Sequence, residues 1–257
     1  MRLKNPNTTI GSTLAAALLF GMASQLPADT QPGKILVVGM KGTASASPAG
    51  GSPAPVKMKD VFSQGTTVKT DKGSSVDLFF GKSVGTMRLE ESGTLIIDKF
   101  TLTETGADTV ADIQLNLPEG TMLGNVNKLS AASKYEIKVP SGVAGIRGTT
   151  LLASAASYFV LLEGALVFVH VPPGGNPTPY TMQAPPPVYF SPLEGVKPAP
   201  NDLVNSVRSR LPGTKAAFVG VDAAGSTNVV AFEGVAEVSR EPFVSPGVGA
   251  SNVPELR

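Results

Sequence analysis

The chain contains no cysteine, no tryptophan and a single histidine, His170. Without cysteine it can form no disulfide, no thiolate zinc site, no iron–sulfur cluster and no cysteine nucleophile. Any Ser–His–Asp triad would need His170, and no second histidine is present to complete a site for a soft metal. His170 ends an apolar run, so we interpret it as a satisfied or exposed side chain. We expect neither a cofactor nor a metal.

An excess of charge is also missing, since 21 Lys and Arg residues face 20 Asp and Glu residues. The chain lacks the basic stripe with interleaved aromatic residues that is typical of nucleic-acid binding. It also lacks an EF-hand spacing, a phosphate-binding glycine loop and a nucleophile elbow. Glu90 and Glu91 are adjacent and would face opposite sides of a strand, so they form no acid–base pair. We therefore predict that the protein is not an enzyme and binds no nucleic acid. An all-oxygen calcium site or a carboxylate-only hydrolase stays open, although no pattern proposes either.

Residues 1–28 have the three parts of a secretory signal peptide. Arg2 and Lys4 precede an apolar stretch at 14–23, and small residues follow it. We place cleavage after Ala28, with Ala23 as the alternative site. An uncleaved membrane anchor and a buried core helix are the alternatives, but the stretch is shorter than the ~20 apolar residues that span a bilayer.

This signal predicts a periplasmic or secreted protein without a membrane span in the mature chain. No cysteine is available for a lipid anchor. Removing Arg2 and Lys4 leaves 19 basic against 20 acidic residues, so the mature chain carries a net charge of −1.

Residues 56–171 show the two-residue alternation of half-buried β-strands. Apolar residues at one face of such strands are Val76, Leu78, Phe80, Tyr135, Ile137 and Val139, and the residues between them are polar except for Phe79. Turns are predicted at Gly81 and at 140–142, and a tight reversal at 163–164. Short strands at intervals of roughly 8–12 residues, without a helical period, predict an all-β fold, a short-strand sandwich or coiled β architecture.

The segments around these strands differ in composition. Residues 42–55 contain only small residues and proline, which predicts a mobile loop. In 172–200, ten of 29 residues are proline, which favours a stiff Pro-rich spacer and, as an alternative, a segment that a partner domain binds. Within 201–257 we expect a short helix capped by Asn201 or Asp202, a β-hairpin whose turn lies at 222–228, and a frayed end from residue 241.

Four stretches carry a linked pattern: QGTTVKT at 64–70, SSVDLFFG at 74–81, YEIKVPSGVAGIRGT at 135–149 and VLLEGALV at 160–167. A strand, a proline, a small apolar turn, Arg-Gly-Thr and a closing hairpin follow one another. Residues 33–171, about half of the chain, thereby resemble the FecR-type domain, a periplasmic all-β module. The positions that carry the resemblance are Gly65, Gly81, Pro140, Arg147, Gly148, Thr149 and Gly164.

The resemblance implies a FecR-like fold outside the cytoplasm. FecR regulators proper also carry a cytoplasmic region that binds a sigma factor, followed by a membrane span. Since an export signal begins almost at residue 1 here, the anti-sigma activity is not carried over. The chain also has Lys82 after Gly81, where the family often has Asp-Gly.

Arg147 has two interpretations. Its planar guanidinium could satisfy carbonyl groups of a neighbouring strand and so stabilise the fold. It could instead bind an anionic ligand such as a carboxylate. We favour the structural interpretation, because one arginine without a second convergent basic group makes a poor anion site.

The sequence as a whole predicts an exported, non-enzymatic FecR-domain protein that acts as a binding or scaffolding module in the cell envelope. Its partner would be an envelope protein or a polysaccharide, and exposed strand edges could bind by adding a strand. The alternative is an extracytoplasmic signal-sensing component that works with a separate membrane or sigma-factor regulatory partner. A carbohydrate-active enzyme ranks last, because no pair of carboxylates is evident.

Overall fold

A computed structural model describes residues 29–105 and 108–213, together with the backbone of 218–221 and 227–230. The described chain is predominantly β, as its alternating sequence predicts. The strands are Asp29–Pro32 (β1), Ile35–Lys41 (β2), Ala44–Ser47 (β3), Ala54–Pro55 (β4), Val61–Phe62 (β5), Thr67–Thr70 (β6), Ser75–Phe79 (β7), Gly85–Leu89 (β8), Thr94–Glu104 (β9), Thr109–Glu119 (β10), Thr121–Val126 (β11), Lys134–Val139 (β12), Gly142–Ser154 (β13), Tyr158–His170 (β14), Thr178–Ala184 (β15), Val188–Ser191 (β16), Gly195–Pro198 (β17), Phe218–Val221 (β18) and Thr227–Val230 (β19). One helix, Asn201–Arg210 (α1), follows β17. Among the described residues, no helix has the length and apolar character needed to cross a lipid bilayer.

Strands β1 to β17 belong to one curled sheet. Neighbours in the chain pair antiparallel in β7–β8, β9–β10, β12–β13, β13–β14 and β16–β17. Strands that are further apart in the chain also pair antiparallel, namely β2 with β7, β6 with β9 and β8 with β11. Strand β10 pairs with β12 in parallel. The sheet therefore wraps around a single large apolar core, in which Tyr135, Ile137 and Val139 lie as their alternation predicts.

The β13–β14 hairpin bends back on itself. Phe168 follows Phe159 by nine positions on β14, a separation of roughly 30 Å in a straight strand, yet their ring centroids are 4.5 Å apart. The bend coincides with a shift of register after Arg147, opposite the segment that contains Gly164. The prediction of a tight reversal at 163–164 is therefore wrong, because β14 continues through these two residues and the hairpin turn lies at 155–157.

The prediction of a mobile loop at 42–55 is wrong for residues 44–47 and 54–55, which form β3 and β4. β3 pairs with β6, and β4 pairs with β3. Ladder hydrogen bonds need only backbone groups, so Ala and Ser residues can form a strand without large apolar side chains. Ala44 and Ala46 are buried, and their small side chains fit this crowded part of the core.

The prediction of a Pro-rich spacer at 172–200 is also wrong. β15 and β16 pair with β14, and Met182 and Phe190 are fully buried in the core. Prolines do not prevent this, because β15 and β17 each pair on one side only among the described strands and proline is tolerated at such edges. The main β domain thus extends beyond residue 171, to β17.

Helix α1 packs against the opposite face of the sheet. Val204 and Val207 are buried against Leu123, Leu152, Val160 and Leu162, which alternate along their strands with residues of the main core. The predicted cap by Asn201 or Asp202 is wrong, because the N-cap position is Pro200 and no side chain caps the helix.

A chain of charged groups fixes the end of α1 to β7 and β8. Arg88 donates from Nε and Nη2 to both carboxylate oxygens of Asp77 at 2.6 and 2.8 Å, and from Nη1 to the carbonyl oxygen of Arg210 at 2.7 Å. Arg210 in turn donates to Glu90 at 2.8 Å. The hydrogen bond to Asp77 raises the pKa of Arg88, against burial, which lowers it.

The backbone forms a hairpin near the predicted position, although β19 begins at Thr227, inside the predicted turn at 222–228. β18 pairs with β19 from Phe218↔Val230 to Val221↔Thr227, as a two-stranded sheet separate from the main one. The proposed signal peptide at 1–28 and the frayed end from residue 241 lie outside the described residues.

Candidate functional site

The seven positions of the FecR-like pattern fall into two groups. Pro140 lies in the turn between β12 and β13, while Arg147, Gly148 and Thr149 lie within β13 and Gly164 within β14. Gly65 and Gly81 lie in separate turns, with positive φ angles of 86° and 102°. The structure therefore brings together Arg147, Gly148, Thr149 and Gly164 at the bend of the β13–β14 hairpin, whereas Pro140 lies at the other end of β13.

Gly148 and Gly164 make the bend of the β13–β14 hairpin possible. Their φ angles are 60° and 89°, in the region that favours glycine. A Cβ atom on Gly164 would overlap the carbonyl oxygen of Gly148, and one on Gly148 would lie 2.9 Å from the Cα of Lys128. Arg-Gly-Thr is thus part of a β-bulge in a long strand and not of a turn. Thr149 is buried beside it, and its hydroxyl has no hydrogen-bond partner among the described atoms.

Beside this bulge, the outer face of β12, β13 and β14 contains an open groove of about 290 Å³. The strand register places Gly145 opposite both Glu136 on β12 and Val167 on β14, and Arg147 opposite Ala165. The lining residues are Ser133, Lys134, Tyr135, Glu136, Gly145, Ile146, Arg147, Ala165, Leu166 and Val167. Small residues thus form the floor, and longer side chains form the rim.

Gly145 differs from the other glycines in the fully described strands. Those at positions 85, 142, 148, 164 and 195 have positive φ angles, and a Cβ on Gly39 or Gly124 would collide with a neighbour. Gly145 has neither constraint, since its nearest neighbour to an added Cβ is the carbonyl oxygen of Val167 at 3.9 Å. Glycine inside a strand weakens it and often marks the close approach of a ligand. What the glycine at 145 provides is therefore open space on the surface.

The rim of the groove carries three charged side chains. Arg147 donates from Nη2 to the carbonyl oxygen of Ala131 at 2.9 Å, and among the described residues it has no acidic partner. Lys134 lies 3.1 Å from Glu136, in a pair whose side chains are 52% and 25% exposed. Such an exposed pair contributes little to stability and can rearrange around a ligand. The groove thus combines an unpaired guanidinium, a second basic group and the exposed Val167.

The sequence singled out Arg147 but missed its neighbours in the groove. The alternation at 134–139 assigns Lys134 and Glu136 to the polar face, but it does not say which strand lies beside them. Gly145 carried a detectable signal, namely a glycine flanked by apolar residues inside a strand-like stretch. An anion site at Arg147 was disfavoured because the sequence showed no second basic group near it. In the structure, Lys134 is such a group, since it lines the same groove as Arg147.

His170 contacts the turn between β12 and β13. Its Nδ1 is 3.1 Å from the carbonyl oxygen of Ser141 and 3.2 Å from the Ser141 hydroxyl, which also contacts the hydroxyl of Ser157. A carbonyl oxygen only accepts, so the hydrogen bond to it forms in the tautomer that carries a hydrogen on Nδ1. In that tautomer Nδ1 cannot take the proton of Ser141, as activation of a serine nucleophile requires. The imidazole therefore joins the β12–β13 turn to the end of β14.

The adjacent Glu90 and Glu91 have different partners. Glu90 accepts from Arg210, whereas the neighbouring Glu91 accepts from the backbone N–H of Gly73 at 2.7 Å. Within the described ranges, no three His, Cys, Asp or Glu side chains come together as a metal ion would require.

This geometry defines an all-β protein with an open, mixed-charge groove on three consecutive strands. Comparison with known proteins finds no matching family model, no matching curated protein and no matching solved structure.

Proposed function

We propose that the protein is an exported, non-enzymatic module of the cell envelope, of FecR-like type, that binds or scaffolds a partner through the groove over β12–β14. The partner is an envelope protein or a polysaccharide. The resemblance of residues 33–171 to a periplasmic domain and the signal-like segment 1–28 support the location.

The observation that carries the proposal is the bare floor at Gly145. Neither backbone conformation nor packing requires a glycine there, and a glycine inside a strand costs roughly 0.5–1 kcal/mol relative to alanine. Since the fold does not explain this loss of stability, we attribute the glycine to the space that its missing side chain leaves for a ligand. A ligand lying across the strands could contact the floor at Gly145 and Ala165 directly.

The side chains at the rim determine which chemical groups of a ligand the groove can bind. The remaining N–H groups of Arg147 suit a carboxylate or another planar group with two acceptor oxygens. Lys134 and Glu136 can exchange their mutual contact for hydroxyl groups or charges of a polymer, and Val167 offers an apolar contact. Acidic polysaccharides and extended protein segments both supply this combination.

Photo-crosslinking from the groove tests the proposal. Val167 and Val171 are each 43% exposed, and only Val167 lines the groove. A photoreactive amino acid at either position, in the full chain expressed in bacteria, is irradiated before periplasm, membranes and peptidoglycan sacculi are separated. We expect adducts from position 167 and few from 171. Equal yields from both positions, or a full-length cytoplasmic protein, would contradict the proposal. An adduct with an integral membrane protein would favour the signal-sensing alternative.

A further inference from the structure

Two tyrosine rings and a carboxylate lie together on another part of the surface. In the β14–β16 ladder, Val160 lies opposite Tyr189, so Tyr158, two positions before Val160, is on the same face as Tyr189. The ring centroids of Tyr158 and Tyr189 are 5.8 Å apart and their planes are inclined by 36°. Phe159 and Phe190, the alternating neighbours, are fully buried, which fixes the backbone beneath the two tyrosines.

Glu194 is held beside these rings by the short turn between β16 and β17. Its Oε2 accepts hydrogen bonds from the hydroxyl groups of Tyr189 at 2.8 Å and Ser191 at 3.3 Å. Its backbone N–H donates to the Ser191 hydroxyl at 3.2 Å. The carboxylate is therefore oriented before any ligand arrives.

No cation neutralises this carboxylate in the described part of the chain. None of the ion pairs there includes Glu194, and Oε1 has no hydrogen-bond partner. Lys197 lies opposite Tyr189 in the β16–β17 register, but it forms no ion pair with Glu194.

The electrostatic effects on the tyrosines agree with this geometry. The hydrogen bond to Glu194, followed by burial and by the charges of Glu194 and Tyr158, raises the pKa of Tyr189. Burial and then the charge of Glu194 raise the pKa of Tyr158. Both changes thus include the negative charge of Glu194 beside the tyrosine hydroxyl groups.

We propose that Tyr158, Tyr189 and Glu194 form a binding site for an organic ammonium group, which the tyrosine rings and the free carboxylate oxygen contact together. Aromatic rings present a negative face to cations, and rings combined with a carboxylate suit lysine-type and quaternary ammonium groups alike. Leu193, next to Glu194 in the turn, is 97% exposed and can contact the ligand's methyl or methylene groups. This site is separate from the β12–β14 groove and does not depend on the proposed function.

Titration of the purified full chain tests the site. The chain has four tyrosines and no tryptophan, so NMR of ring-labelled tyrosine gives few signals, and Tyr135 and Tyr180 serve as internal references. The probes are choline, n-butylammonium as a model of a lysine side chain, and 3,3-dimethylbutan-1-ol, the neutral isostere of choline, at constant ionic strength. We expect saturable shifts of the Tyr158 and Tyr189 signals with one or both cations and none with the alcohol. Preference for choline indicates a quaternary ammonium source, and preference for butylammonium a lysine source.

Variants assign the binding to the three groups. Tyr158→Leu is expected to weaken binding roughly two- to fivefold, the contribution of one exposed cation–π contact. Glu194→Gln should weaken it at least as much, whereas Glu163→Gln, which removes another exposed carboxylate on β14, should leave it unchanged. Both glutamines are conservative changes at exposed positions, so folding is retained. Equal shifts with the neutral alcohol, no shift with either cation, or full binding by Glu194→Gln would overturn the proposal.

Discussion

Replacing Tyr135 by phenylalanine is expected to stabilise the protein. Tyr135 lies on β12, is 2% exposed, and its hydroxyl has no hydrogen-bond partner among the described residues. A buried hydroxyl without a partner costs about 1–3 kcal/mol relative to the hydrated unfolded chain. Tyr135→Phe keeps the ring in the core and removes only this group, so the free energy of unfolding at pH 7 should rise by about 1–3 kcal/mol.

The same residue makes the protein sensitive to alkali. Burial raises the pKa of Tyr135 well above its ordinary value of 10.0. Above pH 10 the unfolded chain therefore loses this proton while the folded chain retains it, so stability falls as the pH rises. At pH 11 the wild type should have lost about 1.4 kcal/mol more, relative to neutral pH, than Tyr135→Phe.

Urea unfolding followed by circular dichroism at pH 7, 10 and 11 measures both effects. Tyr180→Phe is the matched control, because it removes a hydroxyl from a ring that is only half-buried. Destabilisation by Tyr135→Phe at pH 7, or an equal loss of stability in the variant and the wild type between pH 7 and pH 11, would contradict this role of the Tyr135 hydroxyl.

Three further changes test the fold. Gly164→Ala places a methyl group against a backbone carbonyl, so it should lower the free energy of unfolding by more than about 3 kcal/mol or prevent folding. Gly174→Ala is the control: this glycine also has a positive φ but open space around it, so the loss should be about 1–2 kcal/mol. Chemical denaturation compares them, and similar costs would contradict the account of the bend. Arg88→Met should cost about 1–3 kcal/mol in thermal unfolding, since it leaves a half-buried carboxylate unpaired; no loss would show that the charged chain contributes nothing. Val207→Asp should speed tryptic cleavage at Arg210 while the β signal in circular dichroism persists, and unchanged cleavage would contradict the packing of α1.

Local patterns predicted the strands well where one face is buried. Tyr135, Ile137 and Val139 alternate with charged residues, and this alternation leaves one choice of inner face. The helix at 201–210 was predicted for the same reason, because its apolar positions repeat along one side. The sequence is sufficient to predict such strands and helices, because the positions of their buried side chains determine the conformation.

The bend in β13–β14 could not be predicted, because a glycine with positive φ gives the same local signal in a turn and in a bulge. Only the register of its neighbours distinguishes the two, since Ala165 still pairs with Arg147 and Glu163 with Thr150 on either side of Gly164. The strands at 178–198 were missed for a related reason, since proline excludes a central strand but permits an edge, and being at an edge is a property of the whole sheet. The groove likewise depends on the register that sets Gly145 between Glu136 and Val167.

Binding of a partner in the groove over β12–β14 is tested most directly by the crosslinking yield from position 167 when the groove is filled. Gly145→Leu adds a side chain at a position with open space and ordinary backbone conformation, so the variant should fold. Gly213→Leu adds the same side chain at an exposed glycine outside the groove that also has open space. The account predicts that Gly145→Leu abolishes the adducts from position 167 and that Gly213→Leu preserves them. Undiminished adducts in a folded Gly145→Leu protein would contradict it.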